Sequence, residues 1–214
     1  MNTNLISYYS DRAKEYENIY LKPERQHDLK EAAIVLQNAF SNKNIFEISC
    51  GTGYWTEKIA KTANSIFATD INETVLEIAK HKDYENADVS FGIANFYSYQ
   101  STKKYEGLFG GFIWSHIQVQ DLKKFLKKIN SFVLPGGSIV FIDNNYVEGS
   151  NHPITGTDEQ GNTFQTRKLE DGTVHLVRKN FPTENFIKEQ LDGIAVEINL
   201  VHLEYYWILI YTPV

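Results

Sequence analysis

Asn44-Ile45-Phe46-Glu47-Ile48-Ser49-Cys50-Gly51-Thr52-Gly53-Tyr54-Trp55 reads as an apolar strand running into a tight Gly-Thr-Gly turn. A second strand-like run, Ile66-Phe67-Ala68-Thr69, ends on Asp70. Glycines in such a turn let the backbone approach a ligand with no Cβ in the way. An acid at the tip of the next parallel strand is placed to grip a ribose diol. Together these residues point to a nucleoside-bearing ligand at the carboxyl edge of a doubly wound sheet.

Outward from this stretch the chain alternates strand and helix signals. Tyr9, Ala13, Tyr16 and Tyr20 share a helical face, Pro23 breaks it, and Leu29, Ala33, Leu36 and Phe40 mark a second helix. After the strand at 45–49, a helix buries Trp55, Ile59, Ala60 and Ala63. Asn72 is the expected N-cap of the helix that follows the second strand. Strand three is expected at 89–93. The continuous apolar run 107–114 suits a strand buried on both faces. Asp121 opens a helix with Leu122, Phe125, Leu126 and Ile129 inward, and Leu134-Pro135-Gly136-Gly137 stops it before a strand at 138–142. This alternation predicts a parallel α/β sheet. From Tyr146 to Asn180 the pattern changes to two β-like runs, 163–169 and 174–179, joined across Asp171-Gly172, a strong hairpin signal. Pro182 and Thr183 start a last helix, and strands near 196–200 and 205–211 close the chain, the final one expected to be antiparallel.

The 214 residues suffice for one domain, 1–214, with N-terminal helices in 1–43 and a hairpin insertion in 146–180. Net charge is −6 without a long basic block, which argues against a nucleic-acid partner. Cys50 is the single cysteine, so no intrachain disulfide forms, and a reducing compartment is expected. The run 107–114 is far shorter than the ~18 apolar residues of a membrane span. The opening residues Met1-Asn2-Thr3-Asn4 carry no basic leader. These readings predict a cytoplasmic protein without a membrane partner. Thirteen Tyr, 13 Phe and 3 Trp favour a cavity lined with aromatics. The six histidines show no metal-ligand spacing, so no metal site is expected.

The Glu47-x-Ser49-Cys50-Gly51-Thr52-Gly53 run resembles the first motif of the class I S-adenosylmethionine-dependent methyltransferases of the small-molecule type, with Ser49 where the family usually has glycine. The resemblance implies a Rossmann-like sheet of seven strands, the last antiparallel, under an N-terminal helical lid, with the hairpin inserted after strand five. It also implies S-adenosylmethionine as cofactor and S-adenosylhomocysteine as product. Ser49, Gly51 and Gly53 would then meet the methionine end of the cofactor, Glu47 would orient its amino group, and Asp70 and Ile71 would hold the ribose. Asn95 stands where the family usually carries an acid beside the adenine, and Phe96 would stack on the ring. Trp114-Ser115-His116 would line the methionine portion and face the acceptor. The Tyr8-to-Tyr16 segment matches the family's opening helix, with Tyr8 against the cofactor and Tyr16 toward the acceptor. His116, as the side chain tuned nearest to neutral pH, is the candidate general base. Asn144 and Arg167 are the further candidates for the acceptor, next to an insertion that either selects the substrate or forms a homodimer interface.

The resulting expectation is an enzyme that transfers a methyl group in line to nitrogen or oxygen of a small molecule. A non-catalytic cofactor-binding or interaction module on the same fold is the alternative. A nicotinamide-dependent oxidoreductase is a third reading, weakened because Thr56 stands where a dinucleotide motif wants its last glycine.

Overall fold

The computed structural model describes residues 3–214, with side chains from Leu5 onward; Met1 and Asn2 lie outside the described residues. β1 (Asn44–Ile48) is an inner strand of a seven-stranded sheet. It pairs in parallel with β2 (Ser65–Asp70), Ile45 beside Ile66, and with β4 (Tyr105–Gly111), Ile45 beside Gly107. β3 (Asp88–Ile93) extends the sheet beyond β2, and β5 (Val133–Asn144) lies in parallel beyond β4. In an open parallel sheet the ligand crevice lies at the carboxyl ends where the strand order reverses, here between β1 and β4.

Alternate β1 side chains supply two cores. Ile45 packs with Leu29, Leu36 and Phe40 of α2 (Gln26–Phe40) and with Trp55 and Ile59 of α3 (Tyr54–Ala60). Phe46 and Ile48 belong to the opposite core, with Leu122, Phe125 and Leu126 of α5 (Leu122–Asn130) and Ile187 and Leu191 of α6 (Glu184–Leu191). Between α3 and α5 in sequence, α4 (Glu73–Lys80) follows β2, and the Asn72 side chain accepts the Thr74 N–H at 3.0 Å, the expected N-cap. Asp121 occupies the residue before α5 but makes no side-chain cap bond. The sheet closes with β9 (Ala195–His202) and β10 (Tyr206–Pro213). β10 runs antiparallel to both β5 and β9, as expected.

Three local expectations are corrected. The predicted first helix is only α1 (Thr3–Asp11); the chain then turns into 3₁₀ segments at Tyr16–Leu21 and Pro23–Arg25 before α2. Stacking of Tyr20 on Tyr54, ring centroids 3.7 Å apart, holds that broken path against the sheet edge. Secondly, Pro135-Gly136-Gly137 does not precede strand five but lies inside β5, where the register with β4 slips. Gly137 is needed there, because a Cβ would meet the Glu106 carbonyl oxygen at 2.7 Å. Thirdly, the insertion has three strands rather than two. β6 (Ile154–Thr157) joins β7 (Thr163–Lys168) and β8 (Val174–Arg178) in a separate antiparallel sheet.

Candidate active site

The turn after β1 is built from left-handed residues: Ser49 at φ 55°, Gly51 at 57° and Gly53 at 79°. This explains why glycine is usual at the Ser49 position, since a side chain there carries local strain. Any side chain at Gly53 would be strained by its φ of 79° and would crowd Ala79 and the Tyr84 hydroxyl. The turn brings the Gly51 N–H onto Asp70 Oδ2 at 3.0 Å, and the Asn72 N–H donates to Asp70 Oδ1 at 2.9 Å. The carboxylate is thereby fixed at the tip of β2 with lone pairs to spare. Burial pushes the Asp70 carboxyl above its ordinary range, against the lowering effect of these N–H groups.

A cleft of ≈ 630 Å³ opens above this turn, lined by Ser49, Gly51, Asp70, Ile71, Tyr16 and His116. Those six were expected from the sequence. Ile6 and Tyr9 of α1, Thr52, Asn72, Phe112 and Ile113 complete its walls. Glu47 lies beneath, in a smaller recess shared with Ser49, Gly51 and Phe112. It is 1% exposed and its Oε2 makes no hydrogen bond. Burial, against the lowering effect of the nearby Thr56 hydroxyl and with a small push from Asp70, raises the Glu47 pKa to about 8. An unpartnered buried acid is costly unless something pairs with it.

A second cavity, ≈ 600 Å³, adjoins the first across Tyr9, Tyr16 and Phe112, which line both. Asn144 and Arg167 lie in it, together with Arg12, Lys22, Arg25 and Lys179. Phe112 stands at the junction because its backbone is left-handed, φ 56°, just past the end of β4. For a bulky residue that is a strained conformation of the kind concentrated at functional sites. Lys179, at the end of the insertion, reaches back to the main sheet. Its Nζ donates to Asp143 Oδ1 and Ser115 Oγ, both at 2.7 Å, deep in the protein. Burial pushes the Asp143 carboxyl up, but the Lys179 ammonium more than reverses this and holds it below its ordinary range.

His116 is placed in the first cleft but not poised as a free base. Its Nδ1 lies 2.6 Å from the Arg178 carbonyl oxygen, an acceptor only, so Nδ1 carries the proton. Nε2 therefore accepts from the Tyr9 hydroxyl at 2.7 Å. Burial, then the positive charges of Lys179 and Arg167, push its pKa well below the ordinary imidazole range. A neutral ring with both nitrogens engaged is a wall that orients Tyr9.

Five other expected residues stand off the cleft. Tyr8 is 1% exposed and packs with Leu169 and Val177 of the insertion, while its neighbour Tyr9 faces the ligand space. Gly53 starts α3 behind the turn. Asn95 spends its side-chain oxygen on the Tyr97 N–H at 3.0 Å. Phe96 is buried against Phe125 in the core, ring centroids 5.2 Å apart. Trp114 packs edge-on against Trp207, at 5.7 Å. Trp114 follows the left-handed kink at Phe112, which turns the chain away from a regular continuation of β4. Arg12, Lys22, Arg25 and Lys179 were missed because they are scattered in sequence, and only the common presence of Arg12 beside the tyrosine spacing hinted at them.

Residues 45–137 match the family described as a methyltransferase domain. That stretch, from β1 into β5, is the part of the chain that is similar to methyltransferase domains. The chain is 32% identical over 137 residues to malonyl-[acyl-carrier protein] O-methyltransferase 2 of Ilyobacter polytropus, covering 62% of this chain and 51% of that protein. Malonyl-[acyl-carrier protein] O-methyltransferase 1 of the same organism is 26% identical over 204 residues, covering 90% of this chain and 74% of the relative. The chain thus spans about half the length of the first of these relatives. Among solved structures, the DhpI–SAH complex superposes with a TM-score of 0.81 at 21% identity, over 98% of this chain and 95% of that one. An S-adenosylmethionine-dependent methyltransferase from Clostridium acetobutylicum aligns with a TM-score of 0.63 at 16% identity, over 95% and 98%. At these identities the structural matches speak for the fold. The motif turn, the strand-two acid and the switch-point cleft of this chain therefore lie on the fold that those structures share.

Proposed function

We propose that the protein transfers a methyl group from S-adenosylmethionine to a small-molecule acceptor. The observation that carries this reading is the pairing of two cavities across one aromatic wall. One cavity holds an anchored acid at the end of β2, with the buried Glu47 in a recess beside it; the other is polar and lies beyond Tyr9, Tyr16 and Phe112. S-adenosylmethionine fits the first. Asp70 would take the ribose hydroxyls, the Gly51 turn the carboxylate end, and Glu47 the amino group that its free Oε2 lacks. Ile6, Ile71 and Val75 supply apolar walls for the base. The cofactor supplies an electrophilic methyl on a positively charged sulfur.

What the chain's own residues contribute is alignment and exclusion of water. The faces of Tyr9, Tyr16 and Phe112 favour positive charge, by ~0.5–2 kcal/mol per contact depending on desolvation. Holding two reactants in line contributes much of a displacement's rate on its own. The acceptor atom attacks the methyl carbon, the carbon–sulfur bond breaks, and its electrons stay on sulfur. Because His116 Nε2 is already engaged by Tyr9, an acceptor that needs no deprotonation suits this site best. The printed names of the curated relatives, both O-methyltransferases, favour oxygen over nitrogen. Thermal unfolding with added ligands tests the reading. S-adenosylmethionine and S-adenosylhomocysteine should each raise the melting temperature in a concentration-dependent way. A rise with NAD and none with either sulfur nucleoside would overturn it in favour of an oxidoreductase.

A further inference from the structure

The second cavity concentrates positive charge in a protein whose net charge is −6. Its walls include Arg12, Lys22, Arg25, Arg167 and Lys179 and no acidic residue. Lys179 is neutralised by Asp143. Lys22 has Glu24 at 4.0 Å. Among the described residues, no carboxylate lies within ion-pair distance of Arg12, Arg25 or Arg167, although Arg25 is 5% and Arg167 8% exposed.

The sharpest feature is the meeting of two guanidiniums on one phenol oxygen. Arg12 Nη1 donates to the Tyr8 hydroxyl oxygen at 3.0 Å, and Arg167 Nη1 donates to the same atom at 3.2 Å. Arg167 also gives its Nε and one Nη2 proton to Gln165 Oε1, at 3.3 and 2.8 Å. A guanidinium has five N–H donors; three of Arg167's are used on Tyr8 and Gln165, the Tyr9 hydroxyl lies beside it as well, and its plane is fixed by Gln165. Arg25 is more fully used: it donates to Asn144 Oδ1, to Ser150 Oγ and to the Ser150 carbonyl, tying the N-terminal segment to the chain after β5. Buried like charges drawn together without a counter-ion are costly, and an anion between them reverses the sign of that cost. The burial-driven fall in the His152 pKa, reinforced by Arg167, Arg12 and Lys22, reports the same positive field.

Resting on the methyl-transfer reading above, we propose that the acceptor is a small oxyanion, held in the second cavity by Arg12 and Arg167. Planar guanidiniums match the oxygens of a carboxylate or phosphate better than any neutral or cationic acceptor. The shared wall of Tyr9, Tyr16 and Phe112 leaves one edge of such an anion facing the cofactor cleft. Lys22 and Arg25 add long-range attraction rather than contact. The insertion earns its place by delivering Gln165, Arg167 and Lys179 to a cavity that the main sheet alone leaves open.

Calorimetric titration of the S-adenosylhomocysteine-saturated protein with inorganic phosphate and, separately, with malonate tests this, at low and constant ionic strength with choline chloride as control. Saturable binding of at least one anion is expected, and none of choline. Binding of phosphate alone assigns a tetrahedral oxyanion; binding of malonate alone assigns a carboxylate. Arg167→Gln and the part-exposed Arg12→Gln should each weaken the anion at least tenfold while S-adenosylhomocysteine affinity stays within twofold. Normal S-adenosylhomocysteine binding with no saturable anion binding, or anion binding indifferent to both substitutions, would overturn the proposal and leave methyl transfer standing. Failure to bind S-adenosylhomocysteine at all would instead remove the methyl-transfer reading on which it rests.

Discussion

Glu47 is held in the protein with one oxygen unpartnered and a pKa of about 8, against an ordinary 4.5. A folded-state pKa raised in this way makes the unliganded protein lose stability as pH climbs from about 4.5 toward about 8. An ammonium brought beside the carboxylate favours its charged form and releases the proton. S-adenosylhomocysteine binding at pH 7 should therefore release close to ~1 proton, seen by calorimetry in buffers of different ionisation enthalpy. Glu47→Gln should abolish the release, and an equal release in that variant would refute the assignment. His116 carries a second prediction at this scale. As a neutral wall hydrogen-bonded to Tyr9, its replacement by Gln should lower kcat less than the ~10²–10⁴ expected on losing a general base. The kcat profile should also keep its shape between pH 5 and 8, within a range of ~3 units around the ordinary imidazole value. Loss of an ascending limb in the variant would restore His116 as a base.

The insertion and the N-terminal segment are the elements that turn a common sheet into a particular site. Asp143 at the end of β5 is fully buried, and Lys179 at the end of the insertion is its counter-ion. Lys179→Met should cost ~3–5 kcal/mol of stability in urea unfolding, because it strands a buried carboxylate. A loss below ~1 kcal/mol, the worth of an exposed pair, would mean that the ion pair is dispensable. On the other side, the Thr52 hydroxyl donates to Glu17 at 2.6 Å, so the 3₁₀ segment is fastened to the motif turn itself. These elements were the least legible in the sequence. The Tyr9, Ala13, Tyr16, Tyr20 spacing fits a helix, yet tertiary stacking of Tyr20 on Tyr54 wins over that local preference. Ile154-Thr155-Gly156-Thr157 is too short and too exposed to stand out as a strand before its partner β7 is known. By contrast, Asp171-Gly172 announced the β7–β8 turn, with Gly172 at φ 90° and Lys168 facing Val174 across it.

At the scale of the whole molecule, the seven-stranded arrangement was what the family resemblance implied, whereas the alternation of strands and helices follows from the apolar runs. The cofactor side of the site was readable for the same reason: Ser49, Gly51 and Asp70 lie at strand ends, and topology alone carries strand ends to one edge. Of the second cavity only Asn144 and Arg167 were named from the sequence, because Arg12, Arg25 and Lys179 join them only through long-range folding. No helix among the described residues is long and apolar enough to cross a membrane. The account's central claim is that this edge of the sheet grips a nucleoside through Asp70. Calorimetric titration of S-adenosylhomocysteine into the wild type and into Asp70→Ala tests it most directly. Loss of ~1.5–3 kcal/mol of binding energy is predicted, the size of hydrogen bonds to a charged group. Unchanged affinity in a variant with a native circular dichroism spectrum would contradict it.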